Sequence, residues 1–522
     1  MRRRVFAAGF LLMSFFLGAL RGHQERPFSG GVFRIKPFAD AFRKQLDPAH
    51  PESDIFVSEQ LYDGLVRLDK GLNVTPSLAD YWVISPDGKT YTFYLKKGIR
   101  YHTGEEVTAW DVKFSIERLG KNSGFSPPAF LSRLEGAKAY LDGAAEDISG
   151  IRVIGPHTLE IRWTRPYVSA LYLLSTPPCK ILPRKRLMDQ GEGFFQRPSG
   201  TGPFRFDRWI RDTRLNVVGV RLERNENYFG GKPFVRILEF CPLYTLDHFL
   251  NGEIDAIPVL TERLLDGRFQ VFQDGSLQKM FLGMSCRIPP LDDPRVRRAI
   301  QTGIDRTALV ESVEEPRFLR IPTGRFIPSK LPGFLSADEP APPDPLAARR
   351  LLEKAGFSGE NRFPRLTLFL DLPRTEFKHK ISRELRRQLD DMGIAVRVRY
   401  YRSLDEVKSV ENPCLVLVHR MMLIPDPEDM VRPLFFSKSP LNVFGYANLE
   451  VDRLLEAGAV EKSWSERIRI YRRIEMILQE EVPAVPLYSE QNRVAMQPRV
   501  RGVEVPPLGL YYLEAKKIWL RR

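Results

Sequence analysis

Short alternating runs dominate the first half of the chain, and longer helix-period runs the second. Residues 31–35 predict a strand, residues 53–62 a helix and residues 64–68 another strand. Residues 81–84 and 90–95 are rich in aromatic and β-branched side chains and flank Ser85-Pro86-Asp87-Gly88-Lys89, which predicts a hairpin with Tyr91, Phe93 and Leu95 on one face. Thr108 and Asp111 form a capping-box-like opening to a helix whose apolar side is Val112, Phe114, Ile116 and Leu119. Residues 151–154 and 158–163 pair across Gly155-Pro156-His157. Gly200-Thr201-Gly202-Pro203-Phe204 opens a further strand pair that ends near residues 224–229.

From about residue 270 the pattern changes to strands alternating with helices, the mark of an α/β lobe. Asp293-Pro294 starts a helix to Thr302. Asp344-Pro345 starts another, closed by Gly356, after a short proline-rich linker from Pro340. Residues 366–370 read as a strand, 377–392 as a helix closed by Gly393, 394–400 as a strand and 415–418 as a buried strand. Ser463 with Glu466 forms a capping box before a helix carrying Ile468, Tyr471, Ile474 and Leu478, which ends near Val482-Pro483.

The N-terminus adds an address. Arg2, Arg3 and Arg4 precede an apolar run from Val5 to Leu20, about 16 residues and short for a membrane span, so it reads as a signal peptide. The cleavage region Gly18-Ala19-Leu20-Arg21-Gly22 lacks a clean A-x-A, which leaves an uncleaved anchor as the alternative. No cysteine follows the apolar run, which argues against a lipoprotein. Net charge is +14. The first 27 residues hold five arginines and one glutamate, leaving +10 beyond them, scattered among acids without a like-charge block. That distribution reads as a solvated surface rather than a nucleic-acid footprint, and secondarily as a hint of an acidic ligand. Cys179, Cys241, Cys286 and Cys414 contain no C-x-x-C and read as buried free thiols, although export would permit a disulfide.

Catalytic signals are weak. Gly88-Lys89-Thr90 resembles the end of a phosphate-binding loop, but the earlier glycine would fall at Val83 and the segment sits in a hairpin turn. There is no H-E-x-x-H, no G-x-S-x-G and no histidine pair at metal-ligand spacing, so neither enzyme chemistry, a cofactor nor a metal is expected.

A series of ordered blocks points elsewhere. Ser58-Glu59-Gln60-Leu61-Tyr62-Asp63-Gly64-Leu65-Val66 is followed by Pro76-Ser77-Leu78-Ala79-Asp80, Ser85-Pro86-Asp87-Gly88-Lys89, His102-Thr103-Gly104-Glu105 and Thr108-Ala109-Trp110-Asp111-Val112. Gly200-Thr201-Gly202-Pro203-Phe204, Asn225-Glu226-Asn227-Tyr228-Phe229, Asp293-Pro294-Arg295-Val296-Arg297-Arg298, Pro425-Asp426-Pro427, Tyr446-Ala447-Asn448 and Glu481-Val482-Pro483 come later. In this order they resemble the large bacterial extracellular solute-binding proteins of family 5, which serve peptide and nickel ABC importers. Helical spacing places Trp110 and Phe114 in the core rather than at a ligand.

The resemblance implies an α/β, two-lobed periplasmic-binding-protein-like fold of type II, or cluster C, with an extra β-rich subdomain. The expected division is residues 1–27 as signal or anchor, 28–52, 181–268 and 489–522 as lobe I, 53–180 as the inserted β-rich subdomain and 269–488 as lobe II. It further implies a monomeric periplasmic receptor that binds an oligopeptide or other small solute in an interlobe cleft and hands it to ABC permease subunits. Members that grip a peptide use an acid shortly before the Asp-Pro to pair with the peptide ammonium. Here that position is Leu423 and the usual aromatic is Arg420. Leucine cannot pair with an ammonium, whereas Arg420 offers a fork for a carboxylate or phosphate. The candidate ligand-binding residues are Arg420 and Leu423, with Asp426 as a source of the missing charge, and Phe130, which the resemblance places near a cleft aromatic of a relative that carries chelated nickel. Alternatives are a receptor for a metal chelate or anionic organic solute, and a membrane-anchored sensory or interaction protein with the same fold.

Overall fold

The longest strand among the described residues, Ala484–Met496, runs apolar at both ends and polar in the middle, and it organises the molecule. The computed structural model describes residues 26–38, 44–121, 130–274, 277–313, 318–331, 333–334, 339–359, 361–506 and 508–522. The predicted signal or anchor segment lies outside them except for Arg26 and Pro27.

The N-terminal part of this strand pairs antiparallel with Gln278–Met284, and its last residues pair with Ala256–Pro258 and Gln270–Gln273. It thus joins two halves of one 12-stranded sheet. On one side the order runs outward through Gln278–Met284, Cys414–Met421, Leu366–Asp371 and Val396–Tyr401; on the other through Ala256–Pro258, Val32–Ile35, Ile237–Phe240, Val217–Arg224 and Phe204–Arg211. Phe318–Pro322 pairs with the polar stretch in the middle. The strand therefore passes from one lobe to the other without a break.

In lobe II the three outer strands are parallel and covered on both faces, as such strands must be to bury two apolar sides. One face packs against helices Pro294–Gly303, Pro345–Lys354 and Glu376–Asp391. The other packs against Pro427–Phe435, Leu449–Val460 and Trp464–Glu481. The Asp-Pro starts fold as expected: Asp293 and Asp344 each cap their helix through the side chain. Arg297, from the Arg-rich block after Asp293, is buried and donates to the carbonyls of Glu481 and Val482 at 2.9 and 3.1 Å. It thereby satisfies backbone acceptors at the end of the last helix. Ser463 caps that helix, but the box is not reciprocal. Glu466 pairs with Arg469 at 2.6 Å, and the Ser463 N–H goes to Glu461 at 2.6 Å.

The β-rich part carries a four-stranded antiparallel sheet in the order Ala79–Ile84, Thr90–Leu95, Thr158–Arg162, Ile151–Gly155. The hairpin forms at Ser85–Lys89, with Gly88 at φ 74°, a region glycine enters without penalty. Tyr91, Phe93 and Leu95 all face the core. Trp110 departs from expectation: it is 45% exposed, because the inward stripe of Ala109–Lys121 is Ala109, Val112, Ile116 and Leu119. The Gly-Thr-Gly-Pro block works by close approach. A Cβ on Gly200 would stand 1.9 Å from the Leu61 carbonyl oxygen, so only glycine lets this segment lie against helix Ile55–Leu61. The four cysteines are free thiols; Cys179, Cys241 and Cys414 are buried and Cys286 is half-buried. No helix among the described residues is long and apolar enough to cross a membrane.

Candidate functional site

A cavity of about 490 Å³ opens where the lobes meet. Helix Ile55–Leu61 starts at Asp54, whose carboxylate accepts the Val57 N–H at 3.0 Å, and delivers Glu59 and Gln60 to the cavity wall. Gln60 donates to the Leu513 carbonyl at 3.0 Å and accepts from the Ala515 N–H at 3.3 Å. This clamps the C-terminal segment over the helix and brings Tyr512, Glu514 and Lys516 to the same wall. Strand Val66–Leu68 contributes Arg67, and residues 175–180 contribute Lys180. The opposite side is the lobe II loop after Cys414–Met421, represented by Leu423, with Leu508 packed against the lobe II core.

Most charges in this wall are paired. Lys180 meets Glu59 at 2.8 Å, and Lys517 meets Glu504 at 2.8 Å and Glu514 at 2.7 Å. Burial pushes the Glu59 carboxyl above its ordinary range, against the pull of Lys180. Burial also acts upward on Glu514, but the Lys517 hydrogen bond and nearby cations win and hold it below the ordinary value. Asp63 accepts from Thr201 Oγ1 and from the Tyr228 hydroxyl, each at 3.0 Å. Asp69 holds its own turn by accepting the Gly71 and Asn73 N–H groups at 2.7 and 2.9 Å. Burial is the main force lowering Lys516, and Arg67 adds to it. The Tyr512 hydroxyl is buried without a hydrogen-bond partner. Among the described residues no group of three His, Cys, Asp or Glu side chains is placed to hold a metal ion.

Of the four candidates read from sequence, Leu423 borders the cavity, 38% exposed, and the other three do not. Phe130 is buried in the β-rich core, its ring 6.5 Å from that of Trp163. Arg420 turns back into its own loop, pairing with Asp429 Oδ1 at 2.7 Å and donating to the Asp429 carbonyl at 2.7 Å. The same Asp429 carboxylate accepts the Leu423 and Ile424 N–H groups at 2.6 and 3.3 Å, so it fixes the loop that presents Leu423. Asp426 is fully buried. It caps helix Pro427–Phe435, accepting the Glu428 N–H at 2.9 Å, and pairs with Arg467 at 2.5 Å.

Asp426 also sits at a contact that sequence did not reveal. Ser169, from the segment following the β-rich sheet, donates to Asp426 Oδ2 at 2.8 Å across to lobe II. Arg133 pairs with Glu428 at 3.2 Å, and Lys462 donates to the Pro86 carbonyl at 3.1 Å. The β-rich part and lobe II are thus in direct polar contact. The acid at Asp429 was available in sequence as Asp426-Pro-Glu-Asp, a helix start with extra carboxylates. Nothing local marked Ser169, Arg67 or Lys516.

Comparison with known proteins identifies the family and the fold. The family model described as bacterial extracellular solute-binding proteins, family 5 Middle, matches residues 73–441. A probable di/tripeptide-binding protein 5 of Pseudomonas aeruginosa is 27% identical over 483 residues, 87% of this chain and 89% of that one. A dipeptide-binding protein of Escherichia coli is 23% identical over 489 residues, 88% and 89% of the two chains. The solved structure of the ABC transporter-associated periplasmic binding protein DppA from Helicobacter pylori, in complex with the peptide STSA, superposes with a TM-score of 0.74. It is 24% identical, and the match covers 95% of this chain and 99% of that one.

Proposed function

The chain belongs to the bacterial extracellular solute-binding proteins, family 5, and from that membership we propose that it is the periplasmic solute receptor of an ABC importer. It takes a peptide-like or other small solute into the interlobe cavity, passes it to permease subunits and performs no chemistry itself. The observation that carries this reading is the cavity of about 490 Å³, walled by Glu59, Arg67 and the C-terminal segment on one side and by Leu423 on the other. A pocket of that size suits a small organic solute. Contacts from both lobes make binding and closure one equilibrium, since the solute meets every wall only when the lobes are together. The relatives named for di- and tripeptides support a peptide-like solute, while Leu423 removes the acid that would hold a peptide ammonium. Small-angle scattering of the mature protein tests the reading. Saturation with the solute that copurifies should reduce the radius of gyration, and an unchanged radius at proven saturation overturns it.

A further inference from the structure

We propose that Arg67 and Lys516 form a seat for an oxyanion on the solute, a carboxylate or a phosphate, with the solute's apolar part lying toward Leu423 and Leu508. This rests on the receptor reading above and names the solute class it leaves open.

Charge accounting within the cavity leads to the seat. Lys180 and Lys517 have carboxylate partners there. Lys70 stands exposed at the tip of a turn. Arg67 and Lys516 are half-buried, and among the described residues no carboxylate stands within ion-pair distance of either. They come from opposite ends of the chain and reach the same cavity, close enough that Arg67 adds to the lowering of Lys516. Two cations held together with reduced access to water are unfavourable, and an anion between them reverses the sign of that interaction. The acids that face them are Asp63 and Glu514. Asp63 is occupied by Thr201 and Tyr228, and Glu514 by Lys517, so neither serves as the missing counter-ion.

Two further features fit an acidic, partly apolar solute. The Lys516 ammonium stands 5.4 Å from the Tyr228 ring centroid, which fixes its position over an aromatic face. The Tyr512 hydroxyl is a donor without a partner in the same wall. The carboxylate oxygens of Glu59 and Glu514 that also lack a hydrogen bond are each within ion-pair distance of a lysine, so the unmet demand in this wall is for an acceptor. Opposite, Leu423 and Leu508 offer apolar contact and no carboxylate.

The test splits a peptone and yeast-extract medium on an anion exchanger into retained and unretained fractions. Each is offered to the mature chain, and what the protein keeps after dialysis is identified by native mass spectrometry. The captured solute should carry a carboxylate or a phosphate, its mass telling one from the other, with zwitterionic peptides in the unretained fraction and net acids or phosphates in the retained one. Arg67→Gln and Lys516→Gln should each weaken its binding about tenfold or more, as loss of one charge-assisted contact does. Arg67→Lys should retain most of the affinity, and thermal melts show whether each variant folds. Capture of a solute that carries neither carboxylate nor phosphate, or undiminished capture by folded glutamine variants, overturns the seat and leaves the receptor reading intact. Capture from neither fraction overturns both.

Discussion

Replacing Asp426 by Asn isolates the buried ion pair that anchors the lobe II loop. Asp426 and Arg467 are 0% and 1% exposed at the side chain, and the guanidinium makes two bonds to the carboxylate, at 2.5 and 2.9 Å. Asparagine still caps helix Pro427–Phe435, since its side-chain oxygen can accept the Glu428 N–H, so the substitution removes charge and leaves the cap. Arg467 is then a buried cation whose nearest remaining carboxylate is Glu428, at 3.5 Å. Removing one partner of a buried pair costs about 3–5 kcal/mol, and Glu428 places this case at the lower end, about 3 kcal/mol. Hydrogen exchange of amides in helix Trp464–Glu481, which carries Arg467, reads the loss where it occurs rather than through global unfolding of a large protein. Protection there should fall about 100-fold. The double variant Asp426→Leu/Arg467→Leu should recover much of it, because an apolar pair leaves no charge stranded. Ser169→Ala, which removes the hydroxyl's contacts with Asp426, Glu428 and Arg467 but strands no charge, should leave the helix within a fewfold of the parent. A change below about fivefold in Asp426→Asn would show that water or Glu428 already compensates Arg467, and the argument from burial would fail.

Leu423→Asp puts a carboxylate at the lobe II wall of the cavity and should strengthen calorimetric binding of free-amino dipeptides about tenfold, the gain expected of one charge-assisted contact; no gain would mean that residue 423 does not meet the solute. His102 gives a pH signature. Burial holds its imidazole down to about 4, with Asp63 and Arg205 the charges facing it, while Nδ1 accepts the Gly200 N–H at 3.2 Å and Nε2 meets the Gly202 carbonyl at 3.0 Å. Because the folded value lies below the unfolded one, its contribution is full above about 6.5 and is lost as pH falls toward 4, a difference of about 1–3 kcal/mol. Asp54, pushed up to about 6 by burial, acts in the opposite sense over part of that range. Chemical denaturation of wild type and His102→Asn at pH 7 and pH 4.5 separates the two, and equal losses in both proteins would refute the assignment.

Much of the fold was legible because it is written locally. The Ser85–Lys89 turn, the aspartate caps at Asp293 and Asp344 and the two sheet periods each follow from a few adjacent residues, and the structure builds them where the pattern puts them. Trp110 was misplaced because its neighbours fit a helix and the direction of the buried stripe was not resolved by one turn of sequence. The lost box at Ser463 has a similar cause. Glu466 has a choice of partners, and Arg469 three residues on competes with a backbone N–H for it.

The site divides along the same line. Leu423 was found because it breaks a local motif, and it does stand at the cavity. Arg420 and Asp426 broke or completed the same motif, yet their side chains are occupied by Asp429 and Arg467, partners whose claim depends on how the loop folds back and on a helix some forty residues further on. Arg67 and Lys516 illustrate the opposite failure. Each sits in an unremarkable stretch, and their proximity exists only because Gln60 clamps the C-terminal segment onto helix Ile55–Leu61. The polar middle of Ala484–Met496 belongs to this class too: Glu490 and Asn492 look like interruptions of a strand until Arg320 meets the first at 2.8 Å and Asp274 bonds the second. Those pairs satisfy buried groups at the place where the strand leaves one lobe for the other. A run of apolar residues there would bind the two halves of the sheet as one core, whereas hydrogen-bonded polar groups can exchange partners with water. The role of these residues becomes readable only with their partners in view, and the same holds for Arg67 and Lys516, the cations that line the cavity.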